Sequence, residues 1–119
     1  MAKVDSFRFG SIEVGGKRYG CDVLLFPDGS VKERRGGFGK FGSHTIRREE
    51  IDELVKANPE ALIVGTGTND KARVDPQVEA CAGEANIHLL VAPSPQAINQ
   101  LNQLIDEGKR VSALIHITC

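Results

Sequence analysis

Residues 87–119 hold the pattern that most narrows what this chain can fold into. Ile87-His88-Leu89-Leu90-Val91 is an apolar run of strand length, and Ala92-Pro93-Ser94-Pro95 is a tight entry to a helical pattern over residues 95–107. Ala97, Ile98, Leu101, Leu104 and Ile105 fall on one face of that helix, while Gln96, Asn99, Asn102, Gln103 and Asp106 fall on the other. Ser94 and Pro95 suit its N-cap and first turn. Gly108 stands where helices often end in a left-handed residue, and residues 110–118 resume a strand pattern. Strand, one-sided helix, strand is how a parallel β-α-β crossover reads. A similar unit precedes it. Ala61-Leu62-Ile63-Val64, between Pro59 and Gly65, reads as a buried strand. Asp75 and Pro76 then open a helix whose stripe is Val78, Cys81, Ala82 and Ala85. Gly83 inside it predicts close packing or an early end.

The first third of the chain has a different period. Phe7-Arg8-Phe9-Gly10-Ser11-Ile12-Glu13-Val14 alternates as a half-buried strand does. Gly15-Gly16 matches a two-residue hairpin loop, whose backbone needs positive φ. Residues 17–26 read as one continuous returning strand, Pro27-Asp28-Gly29 as a turn, and residues 30–33 as a third short strand. Residues 49–57 form a short helix with Ile51, Leu54 and Val55 on one stripe, stopped by Asn58-Pro59. These readings give one α/β domain over residues 1–119: an antiparallel hairpin region followed by β-α-β-α-β, with right-handed crossovers. The closing strand is too apolar to hang free, so loss of the C-terminus is expected to damage the fold.

Composition narrows the function classes. Hydrophobic residues make up 40% and charged residues 26%, the mix of a chain that buries a core. No apolar run reaches the length of a membrane-spanning helix, and the N-terminus leads straight into alternating sequence, so a cytoplasmic protein without a membrane association is expected. A formal net charge of -1 gives no bulk attraction to nucleic acid. The local exception is Lys32, Arg34, Arg35, Lys40, Arg47 and Arg48, opposed only by Glu33 over that span. Three cysteines, Cys21, Cys81 and Cys119, make no disulfide framework or CxxC pair and are expected as reduced thiols.

Open α/β sheets bind ligands beyond the carboxyl ends of their strands. There the pattern predicts a meeting of Gly65, Thr66, Gly67, Ser94 and His116, a candidate site for a small anion at a helix start. Gly65-Thr66-Gly67 is half of a phosphate loop, without the rest of GxGxxG or a Walker lysine. The alternative is a tight strand exit that needs small residues. Arg34, Arg35 and Lys40, leading into the glycine-rich residues 36–42, form a candidate interaction rim. An RNA-recognition reading of that loop fails because Lys40 occupies an aromatic position and the preceding topology is a meander. His44, His88 and His116 have no metal-ligand spacing, His116 and Cys119 form no nucleophile–base pair, and no serine elbow exists. No catalytic residue, metal or cofactor is assigned.

Phe9-Gly10, Tyr19, Asp22-Val23, Phe26-Pro27-Asp28-Gly29, Gly65-Thr66-Gly67, Pro93-Ser94-Pro95-Gln96-Ala97, Asn102, Glu107-Gly108-Lys109-Arg110-Val111 and His116-Ile117-Thr118-Cys119 carry a further signal. In this order the chain resembles the small domain family named for the adipogenesis-associated protein, together with relatives of the mitochondrial complex I assembly factors. That resemblance implies a single three-layer domain, a mixed central sheet flanked by helices and decorated by an N-terminal antiparallel β-hairpin. It implies no reaction, and it favours partner binding. Relatives often carry a tryptophan after the Pro-Asp-Gly turn, where this chain has Lys32-Glu33-Arg34-Arg35. The function expected from these readings is a non-enzymatic protein-interaction or assembly module, able to form a homodimer through a strand edge. The alternative is a small-anion or metabolite-binding protein or enzyme using residues 65–69 and the helix start at Ser94.

Overall fold

A strand with both faces covered must be largely apolar on both sides, and the two six-residue strands among the described residues meet that condition, with their polar side chains Thr66, Ser112 and His116 buried as well. They are Ala61–Thr66 (β7) and Val111–His116 (β10), every residue of which is buried. In the computed structural model, which describes residues 3–34 and 45–119, they lie side by side and parallel, Ala61 against Val111 and Thr66 against His116. His88–Ala92 (β9) pairs parallel with the far side of β7. Val23–Leu25 (β4) pairs antiparallel with β10, and Val31–Glu33 (β5) antiparallel with β4. The central sheet is therefore mixed, in the order β5-β4-β10-β7-β9.

Helices cover both faces. Arg48–Lys56 (α1) and Pro76–Glu84 (α2) pack on one face, where Ile51, Leu54, Val78 and Ala82 meet Leu62, Val64 and Leu114. Ser94–Asp106 (α3) lies on the other face, with Ala97, Ile98 and Leu101 against Ile63, Ala113 and Ile115. Beside α3 sits a second, three-stranded antiparallel sheet of Val4–Arg8 (β1), Ser11–Val14 (β2) and Lys17–Tyr19 (β3). Asn102 of α3 docks it, since its side chain accepts from the Val4 amide at 3.0 Å and donates to the Val4 carbonyl at 2.9 Å. Thr45–Ile46 (β6) and Arg73–Val74 (β8) form a short parallel ladder. This is the expected three-layer α/β architecture with its N-terminal hairpin. Gly15 and Gly16, at φ 56° and 83°, make the hairpin loop.

Several local expectations are corrected. Residues 7–14 do not form one strand: the chain turns at Phe9 and Gly10, the latter at φ 82°, and β1 and β2 pair antiparallel across that turn. Residues 17–26 do not form one strand: β3 belongs to the hairpin sheet and β4 to the central sheet. Lys17 and Arg18 are exposed whereas Val23, Leu24 and Leu25 are buried, and one straight strand cannot serve both environments. The third helix starts at Ser94 itself, with Pro93 at the N-cap, so the Ser94 hydroxyl is available for another task. Gly83 does not pack closely, since no atom from outside its own helix turn lies within 4 Å of where its Cβ would stand; the early end is what is observed, α2 stopping one residue later at Glu84. Ala85 is exposed, which narrows the buried stripe to Val78 and Ala82.

Candidate functional site

The parallel strands β7, β9 and β10 all end at the same side of the sheet, and β4 and β5, being antiparallel to β10 and β4, bring Asp22 and Arg34 to that side as well. Gly65, Thr66, Gly67, Ser94 and His116 accordingly come together there. Gly65 must be glycine because a Cβ would stand 2.7 Å from Ser94 Oγ. Ser94, fully buried, donates its hydroxyl proton to the His116 carbonyl at 2.5 Å and accepts from the Gly67 amide at 2.9 Å. The first turn of α3 is thereby fastened to the ends of both central strands. Thr66 Oγ1 reaches the Ala92 carbonyl at 3.1 Å and the Asp70 carboxylate. Gly67, at φ +101°, passes so close to Cys119 and His116 that no side chain fits.

A buried ionic network stands on the α1 side of His116. Asp22 Oδ1 accepts the Ile117 amide at 2.8 Å, while Oδ2 lies 2.7 Å from both His116 Nδ1 and Arg34 Nη1. Arg34 Nε donates to Glu50 Oε1 at 2.5 Å, and Glu50 Oε2 accepts the Arg47 amide at the start of α1 at 2.6 Å. Burial pushes the Asp22 carboxyl up, but the His116 ring, the Ile117 amide and Arg34 together hold it below the usual carboxylate range. With Asp22 ionised, His116 Nδ1 is the donor, and Nε2 is turned to Thr118 Oγ1 at 3.3 Å. Burial works against the Arg34 charge, yet Glu50 and Asp22 raise its pKa above the ordinary value. Cys21, next to this network, has its thiol pushed up to about 11 by burial and by Glu33, so it stays protonated at neutral pH.

Arg34 does not stand on the exposed rim that its basic run predicts; its side chain is only 2% exposed and faces inward between two carboxylates. Arg35 and Lys40, the other two cations of that rim, lie outside the described residues, as do Phe38, Phe41 and His44. His88 is exposed on β9 and takes no part in the cluster. Charge pattern does not single out Asp22 and Glu50, because each reads as ordinary surface charge. The usable signal is Asp22 placed directly before the apolar run Val23-Leu24-Leu25-Phe26, where a solvated carboxylate is out of place. At the opposite end of the sheet an open cleft of about 400 Å³ is lined by Phe26, Pro27, Asp28, Ala57 and Arg110. The Arg110 guanidinium there donates to the Asn58 carbonyl. Among the described residues no three His, Cys, Asp or Glu side chains converge to hold a metal, and no helix is long and apolar enough to cross a membrane.

Comparison with solved structures places this fold among known relatives. The protein MT938 is 31% identical over the whole of both chains with a TM-score of 0.85. The conserved hypothetical protein PH1505 from Pyrococcus horikoshii is 27% identical, with 98% of this chain and 99% of that one covered and a TM-score of 0.87. A protein from Bordetella pertussis, described as a Mth938-like domain, shares the fold at 18% identity, covering 98% of this chain and 85% of that one, with a TM-score of 0.65. These findings correct the resemblance read from the sequence. Several residues that carried it, such as Gly29, Gly67 and Gly108 at positive φ and Asn102 at the hairpin dock, are requirements of the architecture. They mark the fold without choosing among the names attached to it. Because the family model described as "Protein of unknown function (DUF498/DUF598)" matches residues 4–116, the chain belongs to that family, of Mth938-like fold, and not to one defined by the adipogenesis-associated protein or the complex I assembly factors.

Proposed function

We propose that this protein is a cytoplasmic, non-enzymatic interaction or assembly module whose polar cluster is an internal clamp rather than a ligand site. One observation carries the reading: the groups expected to hold a ligand are already engaged with one another. The Ser94 hydroxyl and the Gly67 amide are joined to each other, Thr66 is turned to Asp70 and Ala92, and His116 is held by Asp22. A ligand would have to displace buried hydrogen bonds, each contributing about 0.5–1.5 kcal/mol net, before making its own. Recognition then falls to groups outside the clamp, and the basic run read from the sequence offers Arg35 and Lys40 for it. The test is a pull-down comparing the intact protein with an Arg35→Ala/Lys40→Ala variant, leaving the ion-paired Arg34 in place. Loss of specific partners supports the basic rim, and identical recovery removes it.

A second reading rests on the convergence of Gly65, Thr66, Gly67, Ser94 and His116 at the ends of parallel strands, where α/β proteins often bind small molecules. Under it the cluster loosens to admit a small anion. Thermal-shift measurements against phosphate, nucleotides and carboxylates separate the two: stabilisation that Ser94→Ala abolishes favours the anion, and no shift with any of them favours the clamp.

A further inference from the structure

The outer edge of β9 combines three features that together point to a single occupant. First, its backbone is unpaired on that side among the described residues, since β9 closes the sheet beyond β7. The His88 amide donates to the Glu60 carbonyl, so His88, Leu90 and Ala92 direct their N–H and C=O groups toward β7. By alternation Leu89 and Val91 direct theirs outward. Second, the edge carries neither a lysine nor an inward-pointing charge, two of the guards by which edge strands avoid pairing. Val91 is instead a large apolar side chain left 47% exposed. Third, residues 86–105, spanning all of β9 and nearly all of α3, contain no Asp, Glu, Lys or Arg, in a chain where 26% of residues are charged. Asn102 faces the N-terminal hairpin sheet, so helical spacing puts Gln100 and Leu104 on the opposite flank of α3, toward β9. That flank is uncharged as well.

We propose that the β9 edge pairs antiparallel with β9 of a second copy of this chain about a two-fold axis through Leu90, joining two five-stranded sheets into one of ten strands. In this register Leu89 of each copy lies opposite Val91 of the other. The outward N–H and C=O groups of both residues then close four inter-chain hydrogen bonds. Opposed residues of an antiparallel pair share a face, so exposed Val91 comes to rest beside the partner's Leu89. The absence of charge from β9 and this flank of α3 is what selects a second copy. A two-fold axis brings related surfaces of the two copies together, so charges near it tend to meet their own kind, whereas a different protein could complement them. Depletion of charge is also what distinguishes interface cores from ordinary surface. This inference goes beyond the interaction reading above and does not depend on it, since the pairing would stand even if the polar cluster bound an anion.

The test is sedimentation equilibrium of the full chain over a wide range of concentrations, alongside a Val91→Lys variant, with amide hydrogen exchange on the unaltered protein. The expected result is a concentration-dependent dimer whose mass falls twofold in the variant, with circular dichroism unchanged. The Leu89 and Val91 amides should exchange slowly in the dimer and fast on dilution. A protein that stays monomeric at millimolar concentration overturns the proposal. So does a dimer that survives Val91→Lys, or one whose Leu89 and Val91 amides exchange as fast as in the monomer. The exchange measurement decides the matter alone if the variant fails to fold.

Discussion

The cluster at the carboxyl ends of β7 and β10 and the outer edge of β9 belong to the same sheet, yet they treat hydrogen-bonding groups in opposite ways. In the cluster, charged side chains are taken out of water and matched: Arg34 sits between Asp22 and Glu50, and Ser94 joins α3 to both central strands. At the edge, backbone groups of Leu89 and Val91 have no strand partner among the described residues and lie beside an exposed apolar side chain. The difference teaches that polarity alone does not locate recognition in this fold. Among the described residues a cluster of charges serves as interior scaffolding, while the uncharged β9 strand leaves backbone groups open to pairing.

The hardest way to break that comparison is to remove the centre of the cluster. Arg34→Ala leaves the Asp22 and Glu50 carboxylates buried without their common cation, and breaking such a pair from one side typically costs about 3–5 kcal/mol. Glu50 also receives the Arg47 amide, so the start of α1 is expected to loosen with it. Urea unfolding of the variant should show a loss of that size. A loss below about 1 kcal/mol, the range of exposed ion pairs, would mean that the network is surface electrostatics and that the contrast with β9 is false.

This network is also where sequence reading stops. The crossover of β9, α3 and β10 is legible because strand and helix periods are local, and the stripe of Ala97, Ile98 and Leu101 can be counted along the chain. The convergence of Gly65, Thr66, Gly67, Ser94 and His116 is legible too, because parallel strands must end together. Asp22, Arg34 and Glu50 are not, for they are separated by 12 and 16 positions and meet only through strand order. Arg34 lies within a basic run and Glu50 within the first turn of a helix, where solvated charge is the normal outcome. Apart from the apolar run that follows Asp22, nothing local distinguishes these charges from solvated ones. The break between β3 and β4 escapes for a related reason: alternation continues through Tyr19, Cys21 and Val23 although the chain changes sheets.

Acid gives a milder way to probe the cluster. The pKa of Asp22 is lower in the folded protein than the ordinary value near 3.9 that an unfolded chain shows. Its contribution to stability is therefore complete above that unfolded value and is lost as pH falls through the lower, folded one. Asp22→Asn removes this dependence. As pH falls below about 4, the unaltered protein should lose stability more steeply than the variant when unfolding is followed into acid. The effect should be smaller than that of Arg34→Ala, because protonation neutralises a group instead of stranding a charge. Parallel curves for the two proteins would show that Asp22 is not held by its partners in the folded state.

The gentlest measurement sharpens the other half of the comparison. Val91 is exposed on an edge strand, with no partner across the edge among the described residues. Val91→Thr keeps the β-branched shape that suits a strand while replacing a methyl group with a hydroxyl that water can solvate. At concentrations low enough for the chain to be monomeric, unfolding free energy should change by no more than about 0.5 kcal/mol, as for surface substitutions generally. At higher concentrations the two proteins should separate. If Val91 is covered by a second copy, the melting temperature of the unaltered protein rises with concentration by mass action, and that of the variant rises less. A large loss in the dilute monomer would instead assign Val91 to the core of its own chain, and the edge would then belong to the interior no less than the cluster does.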